Sequence, residues 1–304
     1  MAGVRKVQVF LRGGLGNQLF QYATGLYLSE KFNKFLVLRT DLLPSDSDAI
    51  GGISRWPNQI EGFRHSGKVC CKRNQPMGRT NLFGKLMQLM RFSGDLMPNL
   101  GKTLGWHSAE QRGLQSSNLN GETVLINGYT SHKDIVYEFK DRLREELNQL
   151  AAPSDEFLAL SKEMKLLPTI AIHLRQGDYM GLEATFGKVT LDYAKRALLR
   201  LEDSLSGARV WLFTDSPDSI DPAFTEALKP ERILGPNDLV RPLETMVLMS
   251  KADAIVAANS TFSWWSCLLS ESKASVVAPC LLAAKVNNFS RDHEPDKSWV
   301  ILDV

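Results

Sequence analysis

The sequence predicts an α/β protein made of two Rossmann-like lobes with a cleft between them. Three observations carry this. Short runs rich in Val, Ile and Leu recur between stretches with apolar residues at three- and four-residue spacing, the pattern of buried parallel strands alternating with helices. From residue 165 onward that alternation is regular, as in a doubly wound nucleotide-binding unit. A chain of 304 residues that is 43% apolar is long enough to bury two cores.

In chain order, Val7–Leu11 reads as the first strand and Asn17–Lys31 as the first helix, joined by a glycine-rich turn. Phe35–Arg39 is the second strand. Residues 44–123 hold Pro, Gly, Ser and Asn in abundance, with a basic run from His65 to Arg73 that continues to Arg79, Lys85 and Arg91. They read as an irregular insertion with a solvated basic face. Val124–Asn127 is a strand, Lys133–Leu150 a long helix, and Ala151-Ala152-Pro153-Ser154 a break before a further helix. The expected lobes are therefore residues 1–153 and 154–304. In the second, strands are expected at Thr169–His173, Val210–Thr214, Ala254–Ala258 and Ser275–Ala278, with helices at Leu191–Leu201, Leu243–Ser250 and Thr261–Ser270.

Charge narrows the function classes. Lys and Arg number 36 against 34 acidic residues, so no broad field favours nucleic acid or an anionic membrane, and an anionic partner must be met locally. The N-terminal apolar stretch is far too short for a signal peptide or a membrane span. The expectation is a cytoplasmic protein without a transmembrane segment, with peripheral membrane contact left open. Cys70, Cys71, Cys267 and Cys280 form no CxxC pair, and the five histidines fall at no ligand interval, so neither structural zinc nor a disulfide framework is expected. Asp46-Ser47-Asp48 has the spacing of a metal-binding DxD but reads as a polar loop, and no metal or cofactor is called for. There is no Gly-x-Ser-x-Gly elbow, and Cys70-Cys71 has no evident activating partner, which removes the hydrolase readings.

Three constellations carry chemistry. Gly13-Gly14-Leu15-Gly16-Asn17-Gln18 links a strand to a helix, where glycines let backbone amides approach an anion at the positive helix end. It also suits a plain tight turn, and it is neither a P-loop nor the usual dinucleotide fingerprint. His173-Leu174-Arg175-Gln176-Gly177-Asp178-Tyr179 begins where a strand ends, putting His173, Arg175 and Asp178 at the ligand-facing rim of a doubly wound sheet. An Arg fork there can hold phosphate oxygens and stabilise a departing pyrophosphate; a strand-end Arg–Asp surface pair is the bland alternative. Finally, Asn259-Ser260-Thr261 follows an apolar strand and precedes a helix carrying Trp264 and Trp265. All three are good N-caps, and a phosphate suits the helix start they open, while the tryptophans read as core.

Taken together, GGLGNQLFQYA, HLRQGDY and NSTFSWW, in that order, resemble the bacterial α1,2-fucosyltransferases of glycosyltransferase family 11. About forty residues carry the resemblance, and the rest of the chain is consistent with it except roughly 44–123. The resemblance implies a GT-B fold, inversion, no metal, and transfer of L-fucose from GDP-β-L-fucose to a glycan hydroxyl, the 2-OH of a galactoside, in surface-polysaccharide (O-antigen) synthesis. The implied acceptor is an oligosaccharide or lipid-linked glycan. Carried over by motif, His173 and Arg175 would meet the nucleotide and diphosphate, Gly14, Gly16, Asn17 and Gln18 would face the fucose and phosphate, and Asn259, Ser260 and Thr261 would line the pyrophosphate pocket. Asp215, in the loop after Val210–Thr214, resembles the family's donor-side loop and also suits a simple turn.

Two positions depart from the family. Gln176 stands where the family usually has a second Arg, leaving a single Arg there as related O-fucosyltransferases have, and Glu244-Thr245 stands where an Asp is usual. A carboxylate there would accept from guanine N1–H and the 2-amino group together, and Glu244 is the candidate. The reaction asks for a general base to take the acceptor's proton. The candidates are Asp178, close enough to Arg175 to be its orienting partner, and Glu183, beyond Gly181. Two other readings stand beside this one: a glycosyltransferase using another nucleotide sugar, and a non-catalytic protein that binds sugar nucleotides or glycans.

Overall fold

The fold was obtained as a computed structural model that describes residues 6–40, 43, 48–50, 53–55, 57–60, 62–63, 69–72, 106–108, 123–127, 133–176, 189–239, 241–270, 274–280 and 296–304. The chain separates into two compact units, Met1–Glu61 with His65–Lys140, and Gly62–Arg64 with Asp141–Val304.

The first unit is built on β1 (Lys6–Phe10), α1 (Leu15–Lys31), β2 (Phe35–Arg39), β5 (Val69–Lys72), β6 (Trp106–Ser108), β7 (Thr123–Asn127) and α2 (Lys133–Glu138). Its five strands are parallel, in the order β5-β2-β1-β7-β6. Both edge strands come from the segment expected to be an irregular insertion, and β5 lies inside the basic run. That expectation is corrected: strands of three and four residues are too short to show a period against a polar background. A separate antiparallel pair, β3 (Asp48–Ile50) with β4 (Ile53–Arg55), puts Asp48 at a strand start, where a loop was expected; Asp46 lies outside the described residues.

Helix α1 is buried from Leu15 to Ser29 except at Asn17. Its close approach to the sheet depends on Gly25, where a Cβ would stand 2.6 Å from Val9 Cγ2 and 2.7 Å from Leu36 Cδ1.

The second unit contains α3 (Lys140–Asn148), α4 (Asp155–Met164), β8 (Thr169–Leu174), α5 (Leu191–Glu202), β9 (Arg209–Thr214), α6 (Pro222–Leu228), β10 (Arg232–Leu234), α7 (Pro242–Met249), β11 (Ala254–Val256), α8 (Thr261–Leu269), β12 (Ser275–Pro279) and β13 (Val300–Leu302). Six parallel strands run in the order β10-β9-β8-β11-β12-β13. On one face Tyr193, Ala197 and Leu201 of α5, spaced by one helical turn, pack on Ile170, Ile172, Val210 and Leu212. On the other, Ile255, Ala257, Val276 and Ala278 meet Cys267 of α8.

The helix expected over Lys133–Leu150 is two helices, and the units divide at Lys140, earlier than the boundary expected after residue 153. The cause lies in what each half holds. Phe139 stacks edge-on against Tyr27 of the first unit at 5.9 Å. Arg144 donates from Nε to Leu268 O at 2.8 Å and from Nη2 to Ser270 O at 2.5 Å, tying α3 to the end of α8.

In the second sheet the strand order reverses once, between β8 and β11, while in the first the chain winds outward from β1 through β2 to β5 and then places β6 and β7 on the other side of β1. In open α/β sheets ligands bind beyond the strand ends at such reversals.

Candidate active site

At the reversal in the second unit, parallel register assembles the first pair. His173 is level with Phe213 and Leu174 with Thr214. The next residues on the two strands, Arg175 and Asp215, therefore leave the rim side by side. Arg175 Nη1 lies 3.0 Å from Asp215 Oδ2, and Asp215 Oδ1 accepts the Gln176 N–H at 2.8 Å. One carboxylate thus fixes both the guanidinium and the backbone behind it, and with both partners largely buried the pair is a held geometry, unlike a solvated surface ion pair. Gln176 is itself buried.

The other side of the reversal is the turn after β11. Ser260 caps α8, its Oγ accepting the Phe262 N–H at 3.2 Å, and no acidic side chain occupies the first turn. Asn259, Ser260 and Thr261 remain half-exposed at this positive helix end, which is competent to receive an anion. One turn in, Ser263 Oγ approaches His173 Nδ1 to 2.5 Å and accepts the Ala258 N–H at 3.1 Å, while the His173 ring leans on Phe262 with centroids 5.4 Å apart. Burial first, and then the charge of Arg175, lower the imidazole pKa to about 4 against an opposing pull from Asp215, so His173 is neutral at physiological pH.

Beyond the end of β1 in the first unit, Gly13 takes a left-handed φ of 70° and Gly14 opens α1 without a side-chain cap. Gly14 and Asn17 are half-buried there, and Gly16 is buried. Gln18 is corrected from a ligand contact to a brace. It is fully buried, its Nε2 donates to Gly13 O at 2.8 Å and Pro57 O at 2.9 Å, and its Oε1 accepts the Gln59 N–H at 2.9 Å. All of its carboxamide capacity but one lone pair goes to fixing the glycine turn against a loop 39 to 41 residues on.

Glu244 is also corrected. It is 0% exposed, and its two oxygens accept the Ser154 N–H at 2.8 Å and the Ser154 hydroxyl at 2.9 Å. Ser154 in turn caps α4 by accepting from Phe157 N. A carboxylate so enclosed joins α7 to α4 and has no open edge for a guanine.

Asp178 and Glu183 lie outside the described residues. Among the described residues, Asp215 orients Arg175. Ser263 was not anticipated; its signal in the sequence is a Ser three positions after the N-cap Ser260, on the helix face that turns back toward the strand end.

Among the described residues no three His, Cys, Asp or Glu side chains gather as a metal-ligand group, and no helix is long and apolar enough to cross a membrane. The rim of the second unit combines an oriented guanidinium, a neutral imidazole and an open helix start around one strand reversal, a set suited to a phosphorylated ligand.

Comparison with known proteins bears on this arrangement. The chain is 27% identical over 308 residues to an α-1,2-colitosyltransferase of Escherichia coli, covering 96% of this chain and 97% of that one. It is 23% identical over 289 residues to the O-antigen biosynthesis glycosyltransferase WbnK of Escherichia coli, covering 88% and 91%. Its fold is similar to that of the NodZ α-1,6-fucosyltransferase crystallised with GDP-fucose soaked in, with a TM-score of 0.51 at 15% identity over 88% of this chain and 92% of that one, and is accordingly α/β and GT-B-like. The glycosyl transferase family 11 model matches residues 114–303, well over half the chain and the whole of the rim just described, and the protein belongs to that family of glycosyltransferases.

Proposed function

We propose that this glycosyltransferase moves L-fucose from GDP-β-L-fucose to a glycan hydroxyl, the 2-OH of a galactoside, with inversion and without a metal. The observation that carries the reading is the arrangement at the β8–β11 reversal. Arg175, locked by Asp215, stands by the half-exposed helix start Asn259-Ser260-Thr261 and the neutral ring of His173. These are the parts a departing nucleoside diphosphate needs, namely a fixed positive fork, oriented amides and a neutral donor. In this reading residues 154–304 bind the donor and the first lobe faces the acceptor, with Gly14, Gly16 and Asn17 turned toward the fucosyl phosphate. Glu183 takes the acceptor proton and Asp178 supports the donor. The acceptor is an oligosaccharide or lipid-linked glycan of a surface polysaccharide, and the site works at the cytoplasmic side.

The similarity to an α-1,2-colitosyltransferase favours one alternative, in which the linkage is the same and the transferred sugar is colitose. A single experiment separates the two. The protein, in EDTA, is given GDP-fucose or GDP-colitose with a panel of β-galactosides, and products are read by mass spectrometry and linkage analysis. Product from GDP-fucose with an α1,2 linkage is the expected result. Product from GDP-colitose alone would replace the donor, and activity that appears only after Mn²⁺ is restored would remove the metal-free mechanism and return attention to Asp46 and Asp48.

A further inference from the structure

The contact between His173 and Ser263 decides which nitrogen of the ring carries its proton. A serine hydroxyl has one proton to give and can accept two. Ser263 Oγ already accepts the Ala258 N–H at 3.1 Å, and the other partner that the described residues offer it is His173 Nδ1 at 2.5 Å. Buried helix serines commonly return their proton to the carbonyl one turn back, as Ser266 of the same helix does to Phe262 O at 3.2 Å. Ser263 makes no such bond among the described residues, so its proton goes to Nδ1.

A nitrogen that accepts is unprotonated, which puts the ring's remaining proton on Nε2. The ring is 4% exposed, and Nε2 makes no hydrogen bond among the described residues. The opposite tautomer would turn a lone pair toward any ligand oxygen at the rim. A doubly protonated ring would set a second cation beside Arg175 in a buried place with Asp215 already engaged.

We propose that Ser263 is a positioning residue that holds His173 as the neutral Nε2–H tautomer, so that the ring offers a hydrogen-bond donor to an oxygen of the sugar-nucleotide donor. This rests on the reading of the β8–β11 rim as the donor site. Ser263 itself touches no ligand in this arrangement; it acts through the imidazole, as outer-shell partners of functional histidines generally do.

The test is nitrogen NMR of protein carrying ¹⁵N-histidine, with the His173 signals assigned by their loss in His173→Gln. At neutral pH the wild type is expected to show a protonated Nε2 and a bare Nδ1. Ser263→Ala should let both tautomers appear and lower kcat/KM for the donor by the fraction of the ring lost from the Nε2–H form, roughly 2- to 5-fold, and Ser263→Thr should restore both readouts. A wild-type spectrum with the proton on Nδ1, or a Ser263→Ala spectrum indistinguishable from wild type, would overturn the proposal. The wild-type spectrum alone decides the tautomer should the alanine variant fold poorly. Because the tautomer is read without any ligand, a donor site located elsewhere would show separately, as His173 signals that do not respond to added GDP.

Discussion

His173 makes the folded state sensitive to acid. In the unfolded chain its pKa is about 6.5 and in the fold about 4, lowered by burial and by Arg175, with Asp215 pulling the other way. Between those values the unfolded chain binds more protons than the folded one, so this contribution to stability is fully present above pH 6.5 and is lost as pH falls toward 4. The size is about 3 kcal/mol. Urea unfolding of wild type and His173→Gln at neutral pH and at pH about 4 should show the wild type losing roughly that much more than the variant; parallel losses would mean that His173 is not held neutral. His173, Arg175, Asp215 and the Asn259–Thr261 turn were legible in the sequence because strand ends and helix starts announce themselves through local pattern. Gln18 and Glu244 were misread for the opposite reason. Their partners, Pro57 and Gln59 for one and Ser154 for the other, are 39 to 90 residues distant, and nothing local reports that a carboxamide or a carboxylate is already engaged.

Seven strands and five helices could be anticipated from periodicity, with ends within a few residues except for the broken helix at Phe139. Four strands that escaped notice, β5, β6, β10 and β13, are three or four residues long and lie at sheet edges, where burial on both faces no longer imposes an apolar run. The contact of α1 with its sheet gives the sharpest test at this scale. The helix seats on Val9 and Leu36 only because residue 25 has no side chain. In a helix Gly→Ala normally stabilises by up to about 1 kcal/mol, but here the added methyl falls well inside contact distance. Gly25→Ala should therefore destabilise by about 1–3 kcal/mol, the usual cost of overpacking, visible as a lower denaturation midpoint with an unchanged slope. A variant as stable as wild type would mean that α1 lies farther from the sheet.

Both units are built on a parallel sheet with a turn that opens a helix directly after a central strand: glycines opening α1 after β1, and a capped Asn-Ser-Thr turn opening α8 after β11. This explains why an α/β, two-lobed reading was available from sequence, since the chemistry-bearing motifs sit where topology demands them. The exact division was not available, because the chain changes allegiance within one helical stretch, with Phe139 held by Tyr27 and Arg144 by the end of α8. The proposed function rests, at this scale, on the second unit receiving a nucleoside diphosphate at the β8–β11 reversal. Calorimetric titration of the protein with GDP in EDTA tests this most directly, using wild type and Arg175→Ala. Saturable binding to one site, weakened roughly 10- to 100-fold in Arg175→Ala, is the predicted result. Absence of GDP binding, or equal affinity in the two proteins, would contradict it.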